Sequence, residues 1–136
     1  MSSGPVVGVD VQSIAEVESS LRTFGLQYVN RLFDPEDIVR IRTYPSTAPA
    51  YLAGRFAARE AVLKLLEMDD AIASWHDVRI KESHPMALEV VLTNRCMIRA
   101  RQRGIAVIHL GIDYAGSMAI AVAVADVADA DREELE

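Results

Sequence analysis

Hydrophobic residues recur along this chain with two periods, and the switches between them mark out its elements. The opening run Val6-Val-Gly-Val-Asp10 reads as a short apolar strand that ends in an acid. Ile14, Val17, Leu21 and Phe24 then return at helical spacing, with Gly25 as a stop. Asp34-Pro-Glu-Asp37 starts a second helix, its proline at an early position where no donor is needed. Tyr44-Pro-Ser-Thr-Ala-Pro49 is a loop that delivers the chain into a third, strongly apolar helix carrying Leu52, Phe56, Val62, Leu63, Leu65 and Leu66. Beyond it the pattern predicts strands at Val78–Lys81, Leu88–Thr93, Ile105–Ile112 and Met118–Ala125, with a basic helix, Asn94–Arg103, between the second and third. Asp113-Tyr-Ala-Gly-Ser117 is short enough to close the last two strands into an antiparallel hairpin. The order suits an α+β domain over residues 1–126, followed by an acidic, frayed tail over 127–136.

Composition narrows the class of protein. At 136 residues and 51% hydrophobic, the chain is one domain with enough apolar material for a proper core. No run approaches the roughly 18 apolar residues of a membrane span, and no basic segment leads a long apolar one at the N-terminus, so a cytoplasmic protein is expected. Cys96 is the only cysteine; it excludes an internal disulfide and reads as a packing residue. His76, His84 and His109 lack metal-ligand spacing. A net charge of −6, without interleaved aromatic and basic residues, speaks against nucleic acid. The basic residues gather at Arg40 and Arg42 and at Arg95, Arg99, Arg101 and Arg103, the latter group being either a patch or the solvated face of an amphipathic helix.

The chemistry concentrates in Tyr51-Leu-Ala-Gly-Arg-Phe-Ala-Ala-Arg-Glu-Ala-Val-Leu-Lys64. Glu60 and Lys64 stand one helical turn apart and share a face with Ala53 and Ala57, small residues that would leave room for a ligand. On spacing alone such a pair is usually a solvated salt bridge of a few tenths of a kcal/mol.

The run Arg-Phe-Ala-Ala-Arg-Glu-Ala-Val-Leu-Lys resembles the signature helix of the holo-acyl-carrier-protein synthases, small 4′-phosphopantetheinyl transferases whose pattern is approximately Arg-Phe-Ala-x-Lys-Glu-Ala-x-x-Lys. Val6–Asp10 is similar to that family's opening Gly-Ile-Gly-x-Asp-Ile strand, and Ser74–Ile80 more weakly to its aromatic-x-Asp-Ile-Glu-Ile strand. The resemblance implies an antiparallel sheet packed against the signature helix and a homotrimer that binds coenzyme A between subunits. It implies magnesium-dependent transfer of the phosphopantetheine arm from coenzyme A to a serine of an acyl carrier protein. By the same resemblance Asp10 and Glu60 are the metal ligands, and Glu60, or a water on the metal, takes the serine proton. Lys64 meets the diphosphate, with Arg55 and Arg59 as further candidates for phosphate contact, although on a regular helix both point away from the Glu60 and Lys64 face and a structural salt bridge fits Arg55 equally well.

Three segments depart from the family pattern. Its Gly-Thr-Gly turn is replaced by Glu67-Met-Asp-Asp70, whose carboxylates would repel a diphosphate. Its Ser-x-Ser/Thr-His segment becomes Gly111-Ile-Asp-Tyr114. The arginine with which its first helix meets the acidic carrier aligns with Glu16, a charge reversal at a docking surface. These changes keep open a second reading, a non-transferase paralogue that uses the same fold and pocket to bind or process a carrier-bound or small-molecule intermediate.

Overall fold

A computed structural model describes residues 4–69, 75–84 and 87–128. Strand β1 (Gly4–Ser13) leads into α1 (Ile14–Phe24), α2 (Leu26–Leu32) and α3 (Pro35–Thr43), and a 3₁₀ turn at Pro45–Thr47 opens the long α4 (Ala48–Leu65). A second 3₁₀ turn at Trp75–Asp77 precedes the hairpin of β2 (Val78–His84) and β3 (Ala87–Leu92). Helix α5 (Asn94–Gln102), β4 (His109–Ala115) and β5 (Met118–Val127) complete the order. The strands form an antiparallel sheet β1-β5-β4 and a separate antiparallel pair β2-β3. This is the expected α+β architecture of an antiparallel sheet against a long helix.

Alanine sets how closely helix and sheet approach. On β5, Ala119, Ala121, Ala123 and Ala125 all point inward and are at most 1% exposed. Helix α4 answers with Ala53, Ala57, Ala58 and Ala61, each fully buried. On β1, a Cβ added at Gly8 would lie 1.9 Å from the Ala61 carbonyl oxygen, so only glycine fits there. The small residues of α4 therefore bring two backbones together; the room for a ligand expected beside Ala53 and Ala57 is filled by the sheet. Leu63, Leu65, Leu66 and Val62 fill the rest of this core, each stabilising it by about 1.5–3 kcal/mol.

Two sequence expectations change in detail. Gly25 does end α1, but at φ 58 it only turns the chain, and α2 restarts at once. The bend leaves Phe24, expected on the apolar stripe, 60% exposed, while Val17 is buried. The strand expected at Ile105–Ile112 instead begins at His109 and runs on through Tyr114. Ile105 makes only an isolated bridge to Val127, and the two buried isoleucines, Ile105 and Ile108, lie three apart, a spacing that strand alternation cannot produce. The hairpin loop narrows to Gly116 and Ser117, with Gly116 at φ 58 as a two-residue hairpin turn requires. Asp126 and Val127 lie within β5; residues 129–136 of the expected tail, like Asp70 and Ser74, fall outside the described residues.

The outer face of the sheet is apolar. Val7, Val9 and Val11 of β1 and Val122 of β5 are 39–57% exposed, and Val9 pairs directly with Val122.

Candidate active site

Strand alternation that turns Val9 and Val11 outward turns Asp10 toward α4, where it is 8% exposed. Lys64, near the end of α4, donates to Asp10 Oδ1 at 2.7 Å and to the Val9 carbonyl at 3.2 Å. Gln12 Nε2 donates to the other Asp10 oxygen at 2.7 Å. Glu60 lies half-buried one turn back along α4. The hydrogen bond that Lys64 donates to Asp10, aided by the charges of Asp10 and Glu60, raises the Lys64 pKa, so this half-exposed ammonium is fully charged near neutrality. Asp10, about fifty residues away in sequence, thus shares one electrostatic environment with Glu60 and Lys64. Gln12 was not legible beforehand, although its place two residues on, on the same strand face as Asp10, was a usable signal.

The donor set suits a small, hard divalent cation. Such an ion takes one or two carboxylates and otherwise water and substrate phosphate oxygens, and each Asp10 oxygen keeps a lone pair beyond its present donor. Among the described residues no group of three or more His, Cys, Asp or Glu is placed to hold a metal unaided. A site of two carboxylates completed by a substrate diphosphate agrees with both facts.

Arg55 and Arg59 point away from this site. Arg59 is 1% exposed and donates to Asp34 and to the Leu32 carbonyl, with Asp37 at 3.7 Å and the Trp75 ring 5.4 Å away. Arg55 is 5% exposed, bonded to Glu82 at 2.8 Å and stacked over Tyr51 at 4.6 Å. The two guanidiniums join α4 to α3 and β2, which for Arg55 is the structural salt bridge that its helix position allowed. Their partners Asp34 and Asp37 form the capping box of α3, the helix that the Asp-Pro-Glu-Asp run was expected to start.

The departures also acquire a structural setting. Glu67 does not stand as a bare charge: Arg99 and Arg103 reach it at 3.6 and 3.7 Å. The basic face of α5 is therefore partly engaged in holding α4, not wholly solvated. Tyr114 lies against Gly54, where a Cβ would meet its hydroxyl at 2.5 Å. Glu16 sits exposed in the first turn of α1, its amide donating to Ser13. Cys96 is fully buried, and burial pushes its thiol up to about 11, as befits a packing residue. None of the helices among the described residues is long and apolar enough to cross a membrane.

A family model for the 4′-phosphopantetheinyl transferase superfamily matches residues 6–123. A holo-acyl-carrier-protein synthase of Desulforudis audaxviator is 34% identical over 119 residues, covering 88% of this chain and 90% of that one. One of Moorella thermoacetica is 31% identical over 121 residues, covering 88% and 91%. The fold superimposes on the Helicobacter pylori holo-acyl-carrier-protein synthase in complex with coenzyme A with a TM-score of 0.73 and 27% identity, covering 88% of this chain and 98% of that one. The chain belongs to the 4′-phosphopantetheinyl transferase superfamily and, within it, to the holo-acyl-carrier-protein synthase type.

Proposed function

We propose that this protein transfers the 4′-phosphopantetheine arm of coenzyme A to a serine of an acyl carrier protein, with magnesium, as a homotrimer. The observation that carries the reading is the meeting of Asp10, Glu60 and Lys64 at the β1–α4 junction. Two acids and a firmly cationic lysine are what displacement at a diphosphate asks of a protein: a charge clamp and a proton acceptor. Synthases by name, at 34% and 31% identity over most of the chain, favour this reading over a repurposed pocket. So does the pairing of Glu67 with Arg99 and Arg103, which offsets part of the repulsion expected at that turn.

In the reaction, the serine oxygen attacks the phosphorus that bears the pantetheine arm, and the bond to the adenosine bisphosphate breaks. Glu60 takes the serine proton. Lys64 neutralises charge gathering on the departing phosphate. Asp10 and Glu60 are the residues that would hold magnesium, which supplies charge neutralisation at the diphosphate when bound. Asp10 also aims Lys64, and Gln12 fixes the Asp10 carboxylate in turn. The outward valines of β1 and β5 suit burial between copies of the chain, which supports a trimer.

Calorimetry tests the site directly. Wild type should bind coenzyme A with magnesium more tightly than Asp10→Ala or Glu60→Ala, by about tenfold or more. Equal affinities would remove the carboxylates from the site.

A further inference from the structure

Helix α4 ends in a way its sequence does not favour. The Met68 amide donates back to the Leu63 carbonyl and the Glu67 amide to the Lys64 carbonyl, both at 3.0 Å, the paired bonds of a Schellman closure. That closure puts residue 67 in the left-handed region at φ 55, where glycine is the usual occupant and a glutamate is strained. The strained residue is also the third after Lys64, so any loosening there runs straight into the last turn that carries Lys64 and, one turn earlier, Glu60.

Two arginines from α5 hold this end in place. Arg99 Nε donates to the Leu66 carbonyl at 2.9 Å, and Arg103 donates to the Leu65 carbonyl. Both guanidiniums also reach the Glu67 carboxylate, at 3.6 and 3.7 Å. Each arginine thus satisfies a carbonyl that the helix itself leaves open and grips the side chain of the strained residue. Their side chains are 35% and 18% exposed and that of Glu67 is 68% exposed, so the bonds to the carbonyls are partly shielded from water while the contacts to the carboxylate are solvated.

We propose that Arg99 and Arg103 are positioning residues for the active site: through Glu67 they lock the C-terminal turn of α4, and thereby set Lys64 and Glu60, in the place of the glycine that would close this turn unaided. The proposal rests on the transferase reading for its kinetic consequence, but its structural core stands apart from it. It also explains why an acid is tolerated at position 67, since its carboxylate is the handle for the clamp.

A rescue experiment tests it. Coenzyme A KM, kcat for transfer to an apo acyl carrier protein, and amide exchange at residues 64–68 are measured for wild type, Arg99→Ala/Arg103→Ala, Glu67→Gly, and the triple variant. The arginine double variant should raise KM for coenzyme A about tenfold, with a smaller fall in kcat, and speed exchange at Glu67 and Met68. Adding Glu67→Gly should return KM to within about twofold of wild type and restore protection, because glycine needs no clamp. A destabilised double variant is replaced by Arg99→Ala alone, with the same rescue expected. Unchanged KM and exchange in the arginine variants, or no rescue by Glu67→Gly, would overturn the proposal. If wild type transfers nothing, the transferase reading fails while the exchange pattern still decides the clamp.

Discussion

Lys64 gains its charge stability from Asp10, and the pH behaviour of the site follows. Its pKa is raised above the ordinary lysine value of 10.5, first by the hydrogen bond it donates to Asp10. A group raised in this way contributes its ion pair in full below the ordinary lysine value and loses it as pH rises through the raised one. Coenzyme A binding should therefore hold steady up to that alkaline limb, and Asp10→Asn should move the fall to lower pH. Calorimetry between pH 8 and 11 checks this, all else being equal; a fall at the same pH in both proteins would deny Lys64 the role. Arg59 makes the opposite case. Removing it takes from the buried Asp34 and Asp37 their nearest cation and leaves only Arg79 and Arg55, each at 3.8 Å, so Arg59→Ala should lose about 3 kcal/mol of stability in chemical unfolding. The coenzyme affinity of the folded fraction should be unchanged; a large loss of affinity would return Arg59 to the phosphate site.

Among the elements, α1 carries the charge question. Glu16 lies in the first turn, where its carboxylate is favoured by the helix N-terminus, so Glu16→Arg should cost a few tenths to about 1 kcal/mol of stability. If the acidic carrier docks on this helix, the same change should nonetheless raise its association rate. The gain should shrink once salt brings the Debye length below about 10 Å, as stopped-flow at low and high salt would reveal. No gain at low salt would place docking elsewhere. The elements differ in how far their patterns could be read. Helix α4 was legible because its apolar content, its loop and its Glu60–Lys64 spacing agree with one another. The restart at Leu26 was not, since a glycine reads as a stop whether the chain leaves or merely bends. The late start of β4 was hidden because Ile105, Val107 and Ile108 are all apolar, although only the two isoleucines face the core. Asp10 and Lys64 were each visible as candidates, but their contact depends on how tightly β1 meets α4. Gly8 controls that, so Gly8→Ala should cost about 3 kcal/mol or more and lower the melting temperature, because backbone at Ala61 cannot yield.

At the scale of the whole molecule, the sheet presents one face to α4 and an exposed valine face outward, the surface that the proposed trimer would bury. Light scattering at micromolar concentration should report three chains per particle, and Val9→Lys with Val122→Asp should shift it toward monomer. A wild-type monomer would count against a pocket shared between subunits. The net charge of −6 disfavours long-range attraction of a diphosphate, so binding leans on local cations such as Lys64 and on any bound metal. Whether that group performs the transfer is read most directly by mass spectrometry. The protein, coenzyme A and magnesium are incubated with an apo acyl carrier protein, alongside Lys64→Ala and Glu60→Gln. Wild type should add the mass of one phosphopantetheine arm to the carrier, with both variants slower by about a hundredfold or more. A carrier unchanged in mass across a panel of acidic carriers, or one modified equally fast by all three proteins, would contradict the assignment of this chemistry to Asp10, Glu60 and Lys64.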